Sequence, residues 1–314
     1  MDRFRPDGFQ KLALATTAVT FMLIGVGASV RASGAGLGCP DWPRCFGSWV
    51  PPTSPSQLPA GFDRAAFNPV HTWTEYGNRL FGVLTGVLIT ASFAAAIAWH
   101  RRSPRVLWPT AAAFLLVGLE GWQGGRVVAA RLAPGTVSLH LLGALVIVSL
   151  LLYATVAAFF PQPLPSPSPG RRRIGLTAWG LLVLTVVQVV LGAEIRGQID
   201  RIARSGVASR ETALGLVGPL DIVHRQISLL VLAAAIALGI HVWRRRRERA
   251  LLLSAGAVVV IGCAQIAVGV ILAYLSIPPV AQVAHVCLSS LLIGAQILLA
   301  LLALRLPEGS VALS

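Results

Sequence analysis

Charged residues are scarce in this 314-residue chain, in which Asp, Glu, Lys and Arg together make up 12% while hydrophobic residues make up 55%. A soluble domain contains about 25% charged residues, because it must present a polar surface to water. The mean hydropathy of +0.74 agrees with the composition. These values exclude a soluble globular protein and indicate a membrane protein.

Apolar runs of about 20 residues, the length that crosses a bilayer, recur along the chain. The first of them lacks a clean small-residue cleavage site, so we assign it to a retained helix rather than to a signal peptide. The sequence predicts an all-α polytopic membrane protein. Its eight transmembrane helices are expected at about 11–30, 77–99, 106–125, 137–160, 174–193, 222–243, 250–275 and 281–304.

Acidic residues are few as well, with 12 Asp and Glu against 26 Lys and Arg, which gives a net charge of +14. The basic residues cluster at predicted helix ends, as in WRRRRER at 243–249, rather than on a soluble face. Such clusters are typical of positive-inside anchors in contact with membrane lipid. They predict a multi-pass cell-membrane protein with both termini in the cytoplasm and no nucleic-acid partner.

One low-complexity segment, PQPLPSPSPGRRR at 161–173, divides the chain. We interpret it as a cytoplasmic linker between an N-terminal half, 1–160, and a C-terminal half, 174–306, which a cytoplasmic tail follows at 307–314. The same spacing of Gly, Pro and His occurs at Gly124, Pro134 and His140 and again at Gly269, Pro279 and His285. Repeats with an even number of helices enter the membrane from the same side. The sequence therefore predicts two pseudo-symmetric four-helix bundles side by side.

A short polar motif also occurs in each half. The stretch TEYGNRLFG at 74–82 is an imperfect copy of LDIVHRQIS at 220–228. The matching positions are Glu75 with Asp221, Asn78 with His224, and Arg79 with Arg225. Only the second copy carries a potential metal ligand.

His224 and His285 are expected on the second and fourth helices of the second bundle, at the same depth. An ionisable residue inside a membrane is costly and is a functional candidate. Two facing imidazoles suit an iron porphyrin between helices. The alternative is two separate imidazoles, each bonded to a neighbouring carbonyl. Arg225 is either a partner for a porphyrin propionate or a topological residue.

In the first half, His140 keeps the position of His285 while Asn78 stands where His224 stands in the second. A carboxamide is a poor ligand for haem iron, so a porphyrin in this pocket would have an open face. Two axial imidazoles, in contrast, fill the coordination sphere and restrict a haem to electron transfer. The two pockets are predicted to have diverged, one for a redox haem and one for a haem that reacts.

Five features together resemble the haem A synthases, membrane enzymes that oxidise haem O: the loop GAGLGCPDWPRC (34–45), the EYGNR box, His140, the pair His224 and His285, and eight helices in two halves. The resemblance implies a haem b held by the paired histidines in the C-terminal half. It implies a substrate haem pocket with His140, Asn78 and Arg79, and Glu75 as the catalytic acid. Many members of the family have His where this chain has Asn78.

The implied reaction converts one porphyrin methyl group to a formyl group by successive hydroxylations and loss of water, with electrons arriving through the haem b. It would supply haem A to cytochrome oxidase, with haem O synthase as the upstream partner and quinol as a candidate electron donor. One alternative is a b-type cytochrome that carries electrons without modifying haem. Another is a transporter of haem or a similar amphiphile.

Cys39 and Cys45 lie in the loop predicted to be extracytoplasmic, a compartment that permits disulfides. We expect a bridge between them, structural or redox-active, because no further Cys or His pair completes a zinc site. His71 could cap the substrate pocket, but we expect an ordinary loop residue. Glu120 is either a second proton carrier or the partner of Arg126.

Overall fold

The computed structural model describes residues 6–160, 167–245 and 248–305. Within these ranges the chain is almost entirely helical and contains no strand. The α-helices are α1 (Gly8–Ala32), α2 (Pro69–His100), α3 (Pro104–Ala129), α4 (Pro134–Phe159), α5 (Pro169–Arg204), α6 (Arg210–Ala213), α7 (Pro219–Arg245), α8 (Arg249–Val270) and α9 (Pro279–Arg305). Part of the predicted linker (161–166), part of the basic run (246–247) and the predicted tail (307–314) lie outside the described residues.

The helix starts follow from local sequence. Six of the long helices in the described ranges begin at Pro, a residue favoured at the first helical position because its missing N–H has no intrahelical acceptor there. Asp7 caps α1 by accepting from the Gln10 backbone N–H, and the Gln10 side chain accepts in return. The Asn68 side chain caps α2 by accepting from two backbone N–H groups. Satisfied helix ends of this kind fix where each helix enters the bundle.

The polytopic all-α membrane fold is confirmed. Seven described helices are long and apolar enough to cross a membrane. Helix α3 is long enough to cross a membrane, since its 26 residues give a length of about 39 Å. It carries Glu120 and Gln123, and its composition is less apolar than that of the other seven. It packs between α2 and α4. The helix predicted at 106–125 therefore exists, and its polar residues are accommodated by protein neighbours rather than by lipid.

Two helices extend well beyond the predicted spans. Helix α2 begins at Pro69 rather than at 77, so the whole EYGNR box is helical, and His71 lies in the first turn of α2 rather than in a loop. Helix α5 begins inside the predicted linker and continues to Arg204 instead of ending near 193. Hydropathy marks only the apolar part of a helix, whereas the α5 extension is amphipathic and buries Ile195 and Ile199 in a local cluster next to α6.

The long helices pack as two rings. Helix α1 contacts α2 and α4, while α3 lies between α2 and α4. Correspondingly, α5 contacts α7 and α9, while α8 lies between α7 and α9. The rings meet through α1 with α9, α4 with α5, and α4 with α9. The apolar cluster at this junction contains Ile24, Leu145, Val148, Val156, Leu182, Ile293, Ile297 and Leu301. The correspondence of contacts supports the predicted pair of four-helix bundles.

The segment between α1 and α2, residues 33–68, folds against the first ring and is called the disulfide loop below. Cys39 and Cys45 form the predicted disulfide bond, and both are buried with Phe46 and Leu58. Gly38 lies so close to α2 that an added Cβ would be 2.2 Å from the backbone oxygen of His71. The Thr72 hydroxyl donates to the Gly38 carbonyl at 2.9 Å. Close approach of the two backbones therefore anchors the disulfide loop to the start of α2.

We predict that Gly38→Ala destabilises the docked loop. The new Cβ would collide with backbone, which cannot move aside like a flexible side chain, and overpacking of this kind costs about 1–3 kcal/mol. Thermal unfolding of the purified protein in detergent should show a lower midpoint. Gly77→Ala in α2 is the matched control, since its Cβ would meet nothing within 4 Å. Equal midpoints for Gly38→Ala and the unchanged protein would contradict the close approach.

Candidate functional site: histidines in two helix rings

The second ring contains a cavity of about 390 Å³ that both predicted histidines line, His224 from α7 and His285 from α9. The Nδ1 atoms of both imidazoles are buried and have no hydrogen-bond partner among the described residues. Buried polar groups are normally hydrogen-bonded. The alternative in which each imidazole is bonded to a neighbouring carbonyl has no support at these atoms.

Each of these histidines faces a glycine on an adjacent helix. A Cβ added to Gly192 of α5 would lie 3.1 Å from Cε1 of His224, and one added to Gly269 of α8 would lie 3.5 Å from Cε1 of His285. The absence of a side chain at both positions leaves room for an imidazole to turn toward the cavity. Two uncommitted imidazoles in a predominantly apolar cavity between helices fit an iron porphyrin.

Glutamines hold the backbone of both histidines. The Gln188 side chain donates to the carbonyl oxygen of His224 at 2.5 Å. The Gln265 side chain donates to the Ser289 hydroxyl at 2.7 Å, and this hydroxyl donates to the carbonyl oxygen of His285 at 2.7 Å. These hydrogen bonds leave the imidazoles free while fixing the helix segments that carry them.

The same cavity is lined by arginines at the end where α5 extends. Arg225 pairs with Asp221 at 2.5 Å and lies over the Tyr274 ring at 4.8 Å. Arg31 and Arg196 both contact Asp200 at 3.2 Å. Arg31, Arg196 and Arg225 all line the cavity, which gives it a cationic end suited to carboxylates.

Sequence reasoning found Arg225 but missed Arg31 and Arg196. Arg196 precedes Asp200 by one helical turn, a spacing that identifies an ion pair on one helix face. Arg31 belongs to α1 of the first ring and reaches the second ring only through tertiary packing. No local pattern could have placed it at this cavity.

In the first ring, the acid and the Arg of the EYGNR box form an ion pair. Arg79 Nε donates to Glu75 Oε1 at 3.0 Å. The same guanidinium donates to the carbonyl oxygens of Cys39, Asp41 and Arg44 at 3.1, 2.8 and 2.9 Å. Glu75 is buried, with 6% of its surface exposed. Arg79 therefore joins the predicted catalytic acid to the disulfide loop.

The disulfide loop also reaches the helices around His140. A Cβ added to Gly125 of α3 would lie 2.9 Å from the Trp42 ring, while one added to the neighbouring Gly124 would lie 3.7 Å from Cε1 of His140. Leu132 packs against Gly36 in the same region. The loop thus covers the end of the first ring where the predicted substrate residues lie.

His140 itself contacts an acid on the neighbouring helix. Its Nδ1 lies 2.6 Å from Oε2 of Glu120. No ion pair joins Glu120 to Arg126 within the described ranges, where the contact of Glu120 is with His140; of the two alternatives, the pairing with Arg126 is therefore not seen. Asn78 lies opposite Gly27 of α1, whose added Cβ would be 3.9 Å from Asn78 Oδ1. Asn78 and Gly27 in the first ring thus correspond to His224 and Gly192 in the second.

The fold and the site define a polytopic helical membrane protein with a histidine-lined cavity in its second ring and a contact between a histidine and an acid in its first. The chain belongs to the COX15-CtaA family of cytochrome oxidase assembly proteins, whose profile matches residues 10–297. The family resemblance expected from the sequence is therefore confirmed.

Curated relatives carry the name heme A synthase. The protein from Symbiobacterium thermophilum is 29% identical over 252 residues, or 76% of each chain. That from Methylorubrum extorquens strain PA1 is 27% identical over 304 residues, 84% of this chain and 78% of the relative. That from Rhodospirillum centenum is 31% identical over 208 residues, 59% of this chain and 54% of the relative. The similarity to this last relative thus spans about half of its length.

We predict that Arg79→Ala releases the disulfide loop from α2. The change removes the donor to three loop carbonyls, and a hydrogen bond to a charged group contributes about 1.5–3 kcal/mol. The buried disulfide should then be reduced roughly tenfold faster or more by a water-soluble phosphine, as followed by thiol labelling. Arg44→Ala is the control, because among the described residues the hydrogen bond and the cation–π contact of the Arg44 side chain are with its own loop, at Gly47 and Trp49. Equal reduction rates in both variants would refute the anchoring role.

Proposed function

We propose that this chain is a haem A synthase, which oxidises a methyl group of haem O to the formyl group of haem A. The observation that carries the proposal is the chemical difference between two rings of similar helix packing. One presents two uncommitted imidazoles, His224 and His285, while the other presents a single histidine, His140, with Asn78 at the position of the second. Membership of the COX15-CtaA family and the names of the relatives support the same conclusion.

In the second ring, we assign His224 and His285 as the axial ligands of a haem b. Bound by two imidazoles, this group would supply one-electron transfer and would have no open coordination position. Gln188 and Gln265 hold the ligand-bearing backbone, directly and through Ser289. The arginines at the cationic end are positioned to bind its propionates.

In the first ring, we assign His140 as the ligand of the substrate haem O and Asn78 as a neutral side chain on the opposite side. Glu75 is the proton-transferring acid for the methyl oxidation. Its ion pair with Arg79 orients the carboxylate and links it to the disulfide loop. Burial of Glu75 removes bulk water from the proton path, as a hydroxylation site requires.

The surrounding assignments follow from this activity. Haem O synthase would deliver the substrate, and quinol is the candidate electron donor to the haem b. Both termini lie on the cytoplasmic side of the cell membrane, which places the disulfide loop on the outer side, where disulfides persist. A b-type electron carrier would account for the second ring alone and gives no role to Asn78 or to the buried Glu75–Arg79 pair.

We expect Glu75→Ala to stop haem A formation and to leave the second-ring haem b intact, because the two rings hold separate porphyrins. Cells producing the variant together with haem O synthase should accumulate haem O or its hydroxylated intermediate, measured by acid-acetone extraction and mass spectrometry. Glu194→Ala removes a surface acid that pairs with Arg201; it is the control and should retain conversion. Full conversion by Glu75→Ala would exclude it as the catalytic acid.

We also expect His224→Ala and His285→Ala each to abolish or severely disturb the low-spin haem b signal in the reduced-minus-oxidised spectrum, because loss of either ligand opens the coordination sphere. His241→Ala is the matched control, since His241 lies on α7 but is not among the cavity residues. An unchanged spectrum in both ligand variants would disprove the second-ring assignment.

A further inference from the structure

The contact between His140 and Glu120 has no counterpart in the second ring. His140 Nδ1 and Glu120 Oε2 are 2.6 Å apart, and both atoms are buried without a hydrogen bond to any other described residue, so the carboxylate faces the imidazole at close range. The Nδ1 atoms of His224 and His285 are also buried without a hydrogen bond in those ranges, but neither has an acid in contact with it there. Only the histidine assigned to the substrate pocket is therefore backed by a carboxylate.

The repeat explains where this difference arises. Glu120 precedes Gly124 by four residues, just as Gln265 precedes Gly269. Gln265 is neutral and donates to Ser289 rather than contacting a histidine ring. The same helix position thus carries an acid directed at the imidazole in one ring and an amide directed at a hydroxyl in the other.

Gly143 creates the space for the acid. It lies three residues after His140 on α4, on the same helix face, and its added Cβ would be 1.9 Å from Oε1 of Glu120. Any side chain at this position would displace the carboxylate. The arrangement of Glu120, Gly143 and His140 is therefore a built feature of the first ring that depends on three residues of complementary shape.

We propose that Glu120 is a positioning residue that accepts the Nδ1 proton of His140 and makes His140 a more strongly donating ligand than His224 or His285. A carboxylate behind a ligating imidazole fixes its tautomer and ring orientation and raises its basicity. With Asn78 on the other side, the first pocket then offers one strong ligand, and the second offers two ordinary ones. The inference rests on the proposed function, because it assigns His140 to the substrate iron.

The test uses the full chain, purified in detergent from cells that also make haem O. Carbon monoxide binds the reduced haem with an open face and not the six-coordinate haem, so it selects the first pocket. Photolysis of this adduct gives the iron–imidazole stretching band by resonance Raman spectroscopy, which reports on donation by His140. We expect a shift to lower frequency in Glu120→Gln, which keeps an accepting oxygen but loses the negative charge, and a larger shift in Glu120→Ala.

Gly143→Ala gives the same information without altering the acid, since its methyl group displaces the carboxylate. It should lower the band as Glu120→Ala does, and the double variant should add no further shift. Loss of such a supporting partner typically weakens ligand binding about 10- to 100-fold, so haem O retention on gel filtration should also fall. Gly135→Ala on the same helix, where a Cβ meets nothing within 4 Å, should leave the band unchanged.

The outcomes separate this inference from the proposed function. An unchanged band in both Glu120→Gln and Gly143→Ala would overturn it, even if haem A still formed. If the variants lower the band but the unchanged protein forms no haem A, the positioning role is supported and the proposed activity is contradicted. Absence of a carbon-monoxide-binding haem that depends on His140 would overturn both. The second-ring haem b spectrum serves as the folding control for every variant.

Discussion

The cost of placing polar groups in an apolar bilayer is the constraint on which this structure depends. Glu75 is buried against Arg79, and the Arg79 guanidinium is shared with three backbone carbonyls. Gln188 donates to the carbonyl oxygen of His224, and Gln265 donates to the Ser289 hydroxyl, which donates to the carbonyl oxygen of His285. The Nδ1 atoms of His224 and His285 are buried without a hydrogen bond to any described residue, and both imidazoles line the same cavity, so they are available to a ligand.

The two rings use one spatial plan with different chemistry. In each, two glycines face two polar side chains: Gly27 with Asn78 and Gly124 with His140 in the first, and Gly192 with His224 and Gly269 with His285 in the second. A side chain at any of these glycines would enter the space in front of its partner. The matching glycines leave similar space in both rings, while Asn stands for His and Glu for Gln, so the rings differ in the side chains that they offer rather than in how their helices pack.

Much of this organisation follows from sequence. Hydropathy located the helices, and the two cysteines and the compartment of their loop predicted the disulfide. Hydropathy could not detect the start of α2, which the Asn68 cap and Pro69 determine, nor the amphipathic end of α5. The partner of Glu120 was also out of reach, because Arg126 is near in sequence whereas His140 is near only after α3 and α4 pack. Tertiary neighbours, rather than local patterns, decide which polar groups meet.

The disulfide loop packs against the helices that carry the polar residues of the first ring. Trp42 packs on α3 at Gly125, next to Gly124, the glycine that faces His140. Gly38 packs on α2 at His71, four residues before Glu75. Arg79 binds the loop and the acid with one planar guanidinium, whose fixed geometry couples the positions of its partners. A displacement of the loop would therefore leave a buried carboxylate without its cation. The cover over the pocket and the acid inside it are stabilised by the same side chain, so each is stable only while the other is in place.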